Sequence, residues 1–472
     1  MSGPFVILGG GPCGLAAAWE LASTGHRVIV LEREARVGGL CATHAKDGFR
    51  FDLGGHRFVS GDAALSRRLE GLLGEDLLTR ERRSVVLHDG RTFKYPLDAA
   101  DLARSLGARE GVEALLGYAR AWAKRKASPA ADVTFEDWVV ARFGRPLYET
   151  FFGPYTAKLW GLSPRLISAD WAAERISLLG LGDAMARLAG LSRPPIRTYA
   201  RRYRYPRFGM GQLYEAMARE VRQHGGEVHM GARVVGLETR GSRVVAVRTS
   251  GPSGHERIPA GEVLSTMPLP ELVQHLQPEA TELLTRAKTL RFRALVFLNL
   301  SLARRDFSSN TWMYVASGAL RMSRIQEPKR RSLWMAPSGQ TSLMIEIPCD
   351  VGDDVWRAST GDLTVRMQRE LTELGFLVDD IQSAFTVHVE HGYPIYHLGY
   401  DEDRRALLRE VDRFENLRTA GRQGLFRYVF MDAAMQMGIR AARQMVSGER
   451  QAKAIDGIGR SVSVIETSAL TA

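Results

Sequence analysis

The sequence predicts an α/β fold in which a parallel-sheet unit is interrupted by a helical insertion and by a second, mixed or antiparallel sheet. Three observations carry this. The chain opens on a short apolar run, Phe5-Val6-Ile7-Leu8, followed at once by a glycine turn and an Ala/Leu-rich stretch of helical spacing. Residues 99–192 place Ala, Leu and Arg at intervals of three and four. Residues 291–384 return to apolar alternation, clearest in 294–300 and 342–347. At about 150 residues per domain, a length of 472 residues suggests roughly three structural units.

Composition sets the outer limits. Hydrophobic residues make up 45% and charged residues 25%, which excludes a disordered chain, a collagen-like repeat and a small disulfide scaffold. Lys and Arg number 64 against 53 Asp and Glu, a net charge of +11, and the sequence pI is near 9.7. A basic surface attracts anions, and charge alone leaves nucleic acid, anionic lipid and phosphorylated small molecules all open. Cys13, Cys41 and Cys349 are too sparse for a disulfide framework or a CxxC metal knuckle, which suits a reducing, cytoplasmic compartment. The N-terminal apolar stretch has no preceding Lys or Arg and is broken by glycines, so a signal peptide is not expected. No uncharged apolar run is long enough for a transmembrane helix. There is no fixed-period repeat and no low-complexity tract.

The first unit is read element by element. Phe5-Val6-Ile7-Leu8 suits a buried parallel strand. Gly9-Gly10-Gly11-Pro12-Cys13-Gly14 forms the turn, 15–23 a helix, and Arg27-Val28-Ile29-Val30-Leu31 a second strand closed by Glu32. Gly9 permits the tight turn, Gly11 lets backbone amides approach a pyrophosphate, and Gly14 lets helix and strand pack closely. The helix N-terminus adds free amides and partial positive charge. Glu32, 18 residues after Gly14, can accept hydrogen bonds from a ribose diol. Strand, glycine turn, helix, strand and acid in this order are the context of a Rossmann-like dinucleotide fingerprint.

Beyond Glu32 the chain continues through Arg33 to the pair Gly38-Gly39 and Leu40, then through Gly48-Phe49-Arg50-Phe51-Asp52-Leu53-Gly54-Gly55-His56. Here it resembles the FAD-binding fold of the amine-oxidase and UDP-galactopyranose-mutase superfamily. The resemblance implies FAD as cofactor. It implies contacts from Gly9, Gly11, Pro12, Cys13, Gly14, Glu32, Arg33, Gly38, Gly39 and Leu40 along the dinucleotide, and from Gly54, Gly55 and His56 along the isoalloxazine ring. His56 is the candidate catalytic residue, beside the flavin, adjusting its surroundings as the redox state changes. A neutral imidazole can also donate or accept a proton. Read without the resemblance, Gly54-Gly55 is a plain turn and His56 a turn histidine bonded to backbone.

In the middle of the chain, Thr134 caps a helix starting at Phe135. Residues 151–161 and 167–176 mix aromatics and cations densely. The resemblance implies a helical insertion over the substrate side of the flavin, with Trp160 and Arg175 contacting substrate or flavin. Read without the resemblance, Trp160 and Trp171 are both core aromatics. Two departures count against the standard mutase substrate. Thr156 stands where eukaryotic-type mutases carry asparagine, and Tyr95-Pro96-Leu97 lacks the glutamine that follows their Tyr-Pro pair. A site built to bond a hydroxyl discriminates strongly, so losing such partners is not neutral.

Residues 203–213 return the chain to the nucleotide-binding unit. Gly209 and Gly211 mimic a second fingerprint, but Tyr214 fills the third glycine position, so no second dinucleotide site is expected. The resemblance implies that Val234 offers its backbone to adenine. It implies that Arg324, within the basic stretch 321–331, holds a substrate diphosphate, for which a guanidinium fork is well shaped. Tyr393 and Tyr428 match tyrosines that bond phosphate oxygens above the flavin, and Arg422 falls in the Gly-Arg pair at the last nucleotide-domain strand. Asp432 matches a cofactor-bonded aspartate, and Met437, in the same closing helix whose N-terminal amides would point at the flavin, is expected to contact the cofactor.

The expected organisation is a discontinuous FAD-binding domain (1–98, 203–290 and 385–446), a helical insertion (99–202), a substrate-side sheet (291–384) and a tail (447–472) without signal. No Ser-His-Asp order, HExxH motif or metal cluster suggests another chemistry, and no metal is expected. The leading functional expectation is an FAD-dependent oxidoreductase. It would transfer hydride between flavin N5 and a polar small molecule, with phosphorylated and sugar-type molecules included. The alternative is a redox-neutral, mutase-like isomerase acting on a nucleotide sugar through reduced FAD. A third class is an FAD-bound scaffold with a basic surface. The expected partner is a small-molecule substrate, phosphorylated or nucleotide-linked, and no nucleic-acid motif is present.

Overall fold

In the computed structural model, which describes residues 3–95, 107–127, 131–175, 202–252, 254–277 and 280–461, Phe5–Leu8 is the central strand of a five-stranded sheet. The order is Leu417–Thr419, Glu262–Ser265, Phe5–Leu8, Val28–Glu32, Glu227–Met230, and every pairing is parallel. Both faces are covered, so Val6, Ile7 and Leu8 and residues 28–31 are all buried, as continuous apolar runs require. Helix Pro12–Ser23 lies against helix Met431–Ser447. The approach depends on Gly438, where a β-carbon would collide with the Cys13 carbonyl.

The second sheet has seven strands: Ile381–Pro394, Phe292–Leu302, Thr341–Cys349, Arg324–Gln326, Trp312–Val315, Ser84–His88 and Arg91–Lys94. It is mixed, because Trp312–Val315 pairs parallel with Ser84–His88 while the other pairings are antiparallel. Two expected boundaries therefore move. Residues 84–94, placed by sequence in the nucleotide unit, belong to this sheet, and strand Ile381–Pro394 runs through the boundary drawn at 384. Alternation identifies a strand but not the sheet it joins, which is why sequence could not draw these edges.

The insertion contains helices Ala108–Ala127, Phe135–Phe143, Gly153–Trp160 and Ala169–Arg175. Thr134 caps the second of these in a reciprocal box: its hydroxyl accepts from Asp137 N at 3.1 Å, and Asp137 Oδ2 accepts from Thr134 N at 3.1 Å. Lys158 clips the insertion to the second sheet. Its ammonium donates to the carbonyls of Val315, Ser317 and Met322 at 2.6, 2.7 and 2.9 Å. The insertion is thereby held over the face of the sheet that carries the candidate site.

Candidate active site

The site is built from two backbone loops. In the first, Gly9 has φ +107°, and a β-carbon there would strike Thr266. At Gly14 it would strike the Gly9 carbonyl. The second glycine pair folds back onto this turn: Gly38 N donates to Gly10 O at 2.8 Å, and a β-carbon on Gly39 would stand 3.4 Å from Gly11 Cα. Pro12 occupies the first turn of the following helix, where a missing N–H costs nothing. Cys13 is buried against Gly421 and Gly438, and burial pushes its thiol up, so it packs as an inert side chain.

Glu32 is buried. Its Oε2 accepts from Gly10 N at 2.7 Å and its Oε1 from Glu34 N at 2.9 Å. Burial raises its pKa, while those two amides pull it down. Fixed in this way, each oxygen keeps a lone pair for a further donor. Arg33 is only half-buried and pairs with Glu34 at 3.2 Å. Val234 is the second residue of strand Arg233–Arg240 and stands two residues after Ala232, whose N donates to Glu32 O at 2.9 Å.

The second loop carries Gly54, Gly55 and His56 into an internal cavity of ≈ 270 Å³. Leu40, Arg324, Tyr393, Arg422, Tyr428 and Asp432 line the same cavity, so residues spread from position 40 to 432 converge there. His56 Nε2 bonds Leu53 O at 2.7 Å and Nδ1 lies 3.7 Å from Cys41 Sγ. A carbonyl accepts only from N–H, so Nε2 carries the proton. Burial, then Arg422, push the imidazole down to about 3. His56 is therefore neutral with its proton committed to backbone, and it lines the cavity without being set up as a proton donor.

Arg324 sits between two aligned neighbours on adjacent strands. Tyr314 and Glu346 are its register partners, and Phe297 is opposite Glu346 in turn. One rung of the sheet thus supplies Tyr314, Arg324, Glu346 and Phe297 side by side. Arg324 Nη2 lies 3.5 Å from Glu346 Oε1, and its Cζ lies 5.3 Å from the Tyr314 ring centroid. Burial works against the Arg324 charge, but Glu346 and the surrounding tyrosines outweigh it and raise its pKa. Tyr393 donates to the same Glu346 oxygen at 3.2 Å, and burial followed by Glu346 keep its hydroxyl protonated. Arg324 and Tyr393, expected to face phosphate, here share a fully buried carboxylate. Glu346 was not foreseen. The sign was a lone acid within the apolar run Leu343-Met344-Ile345-Glu346-Ile347.

Tyr428 stacks on Tyr393 with centroids 5.8 Å apart, and the Arg422 Cζ lies 4.3 Å from the Tyr428 ring centroid. Arg422 Nη2 donates to Val429 O at 2.8 Å. Asp432, in the first turn of helix Met431–Ser447, has an Oδ2 with no hydrogen-bond partner. Burial lifts its carboxyl to about 6.

Two expected contacts come out differently, and a third falls outside the described residues. Trp160 is buried behind the wall rather than on it, 4.5 Å from Trp171 in an edge-to-face pair, and Trp171 lines the cavity in its place. Met437 is fully buried in the core between helices. Five residues past Asp432, it is turned about 140° from it around the helix. Arg175 ends helix Ala169–Arg175, and its side chain lies outside the described residues. Sequence reasoning also left unassigned Arg57, Phe135, Phe151, Phe152, Tyr155 and Tyr314, which all line the cavity.

These residues fit FAD. The Gly11 and Gly39 backbones approach each other with no side chain between them, as a diphosphate needs, Glu32 is fixed by two backbone amides with lone pairs left for a ribose, and Asp432 Oδ2, at a helix N-terminus, has no hydrogen-bond partner.

The family model described as flavin containing amine oxidoreductase matches residues 12–446. Phytoene dehydrogenase of Streptomyces griseus is 30% identical over 290 residues, covering 56% of this chain and 54% of that protein. The chain spans about half the length of the first curated relatives it matches. Among solved structures, reduced UDP-galactopyranose mutase superposes with TM-score 0.83 at 20% identity over 100% of both chains. A redesigned putrescine oxidase superposes with TM-score 0.63 at 18% identity over 94% of this chain and 99% of that one.

Proposed function

The chain belongs to the flavin-containing amine oxidoreductase family and its cofactor is FAD, and on that premise we propose an oxidoreductase that moves a hydride between a small organic molecule and the flavin. The observation that supports this most is the cavity wall. It is rich in aromatic side chains, and Arg57, Arg324 and Arg422 stand within it beside the Gly54-Gly55-His56 loop. Bound FAD supplies a two-electron acceptor or donor. The protein's own part is to hold a C–H bond against the ring and to exclude water, which Phe135, Phe151, Phe152 and Trp171 are placed to do. Arg422 and the first amides of helix Met431–Ser447 favour negative charge at the ring. Arg57 and Arg324 favour a substrate with an acidic end, of which phosphorylated and sugar-type acids are the preferred classes. His56 keeps its proton on Nε2 toward Leu53 O, so it positions and insulates rather than relays.

The test is anaerobic mixing of the oxidised holoprotein with candidate acids. A true substrate bleaches the visible flavin absorbance, and admission of an electron acceptor restores it. A panel that never bleaches the flavin, paired with turnover of a nucleotide sugar only after chemical reduction, would favour the second reading. That reading is a redox-neutral isomerase of nucleotide sugars. It draws support from the hydroxyl-bearing wall formed by Tyr95, Tyr155, Tyr314, Tyr393 and Tyr428.

A further inference from the structure

Helix Ala108–Ala127 has two apolar faces, and packing accounts for only one of them. Its inner side is fixed against the rest of the insertion through Ala114, which is buried, and through Gly117, where a β-carbon would stand 2.7 Å from Pro146 Cδ. At about 100° per residue, Val112, Leu115, Leu116, Ala119, Trp122 and Ala123 fall within one arc of about 120° on the opposite side. All six are exposed, Val112 and Trp122 at 54% each. Single exposed apolar residues are ordinary, but a continuous stripe directed at water calls for an occupant.

The charges around the stripe identify it. The helix carries five cations, Arg109, Arg120, Lys124, Arg125 and Lys126, against two acids. Both acids are engaged within the chain: Glu110 by Arg91 at 2.8 Å and Glu113 by Arg109 at 3.1 Å. A second copy of this helix would therefore offer no unpaired acid to the exposed cluster Lys124-Arg125-Lys126. The partner must bring apolar depth and its own negative charge together. Trp122 sits between the two features, with Lys126 Nζ 4.4 Å from its ring centroid. Cations in a last turn also complement the helix dipole, but that does not explain the apolar arc beside them.

We propose that this outer face docks on an anionic lipid bilayer, with the helix lying in the plane of the headgroups. An exposed apolar stripe bordered by Lys and Arg, with Trp at one end, is the pattern of an interfacial helix. Among the described residues no helix is long and apolar enough to cross a membrane, so the contact is with the surface.

The experiment is sedimentation of the full-length holoprotein with vesicles of phosphatidylcholine alone or mixed with phosphatidylglycerol, at low and high salt. Two variants accompany it: Leu116→Glu with Trp122→Ala, and the charge reversal Lys124→Glu, Arg125→Glu, Lys126→Glu. Circular dichroism and the flavin-to-protein ratio check that each remains folded. Binding is expected on phosphatidylglycerol vesicles only, released by salt, and weakened about tenfold or more by either variant. Failure to sediment with anionic vesicles overturns the proposal. So does binding that survives loss of the apolar residues, which would be simple attraction to a polyanion. A dimer in light scattering that Leu116→Glu dissolves, with no vesicle binding, would assign the face to a second copy instead.

Discussion

Arg324 and Glu346 stand directly opposite each other on neighbouring antiparallel strands, 3.5 Å apart, with the carboxylate fully buried and the guanidinium at the cavity wall. The register of two strands, not a motif, creates this pair. Arg324 also lies over the second loop: a β-carbon on Gly55 would stand 2.6 Å from its Nη1. The Gly54-Gly55-His56 loop and the seven-stranded sheet therefore meet at one guanidinium.

Gly55→Ala should move Arg324 without removing it. The colliding atoms are the far end of a flexible side chain, so the chain should fold and retain FAD. The guanidinium should leave its place opposite Glu346, and KM for an acidic substrate should rise about tenfold or more, by the ~1.5–3 kcal/mol typical of a charge-assisted hydrogen bond. Steady-state kinetics with the flavin content measured alongside checks this. Loss of flavin with unchanged KM would contradict it.

Glu346→Gln leaves the Arg324 charge buried without its counter-ion. Breaking such a pair from one side costs on the order of 3–5 kcal/mol, whereas replacing both partners is far milder. Denaturant unfolding should show a large loss for Glu346→Gln and a partial recovery for Glu346→Gln with Arg324→Met. Equal losses in both would mean that the two residues do not act as a pair.

His56 should contribute no ionisation to catalysis near neutral pH. Burial and Arg422 hold its pKa down to about 3, far below the ordinary histidine value, so it is uncharged through the working range. The pH profile of kcat/KM should keep the same inflections in His56→Asn, while the visible flavin spectrum shifts because a neighbour of the ring has changed. An inflection near 6.5 that disappears with His56→Asn would restore it as an acid or base.

The glycine turn and its flanking elements were legible because their geometry is local. Gly9, Gly14 and Glu32 lie within one strand–turn–helix–strand unit, where spacing along the chain is spacing in space. The cavity wall on the second sheet depends on distant rungs. Tyr314, Arg324 and Glu346 become neighbours only when register is known, and register leaves no mark on a single sequence beyond the odd acid in an apolar strand. Trp160 and Trp171 show the same limit on a helix. Both are aromatic residues in the same insertion, and the rotation that turns Trp171 to the cavity and buries Trp160 behind it is a tertiary fact.

Asp432 gives a stability signature of definite sign. Its carboxyl is raised by burial from 3.8 to about 6, so between those values the folded protein binds more protons than the unfolded chain. Stability without cofactor should then fall as pH rises through this window, and a cost on the order of 3 kcal/mol should persist above pH 6. Asp432→Asn removes the ionisation but keeps the shape, so the variant should be the more stable protein above pH 6 and lose its advantage toward pH 4. His56 acts in the opposite sense between about 3 and 6.5, because the folded protein binds fewer protons there. It is present in both proteins, so the difference between their unfolding curves isolates Asp432. Thermal unfolding of the two flavin-free proteins across pH 4–8 measures this difference. A difference that does not change with pH would mean that the Asp432 carboxyl titrates at its ordinary value.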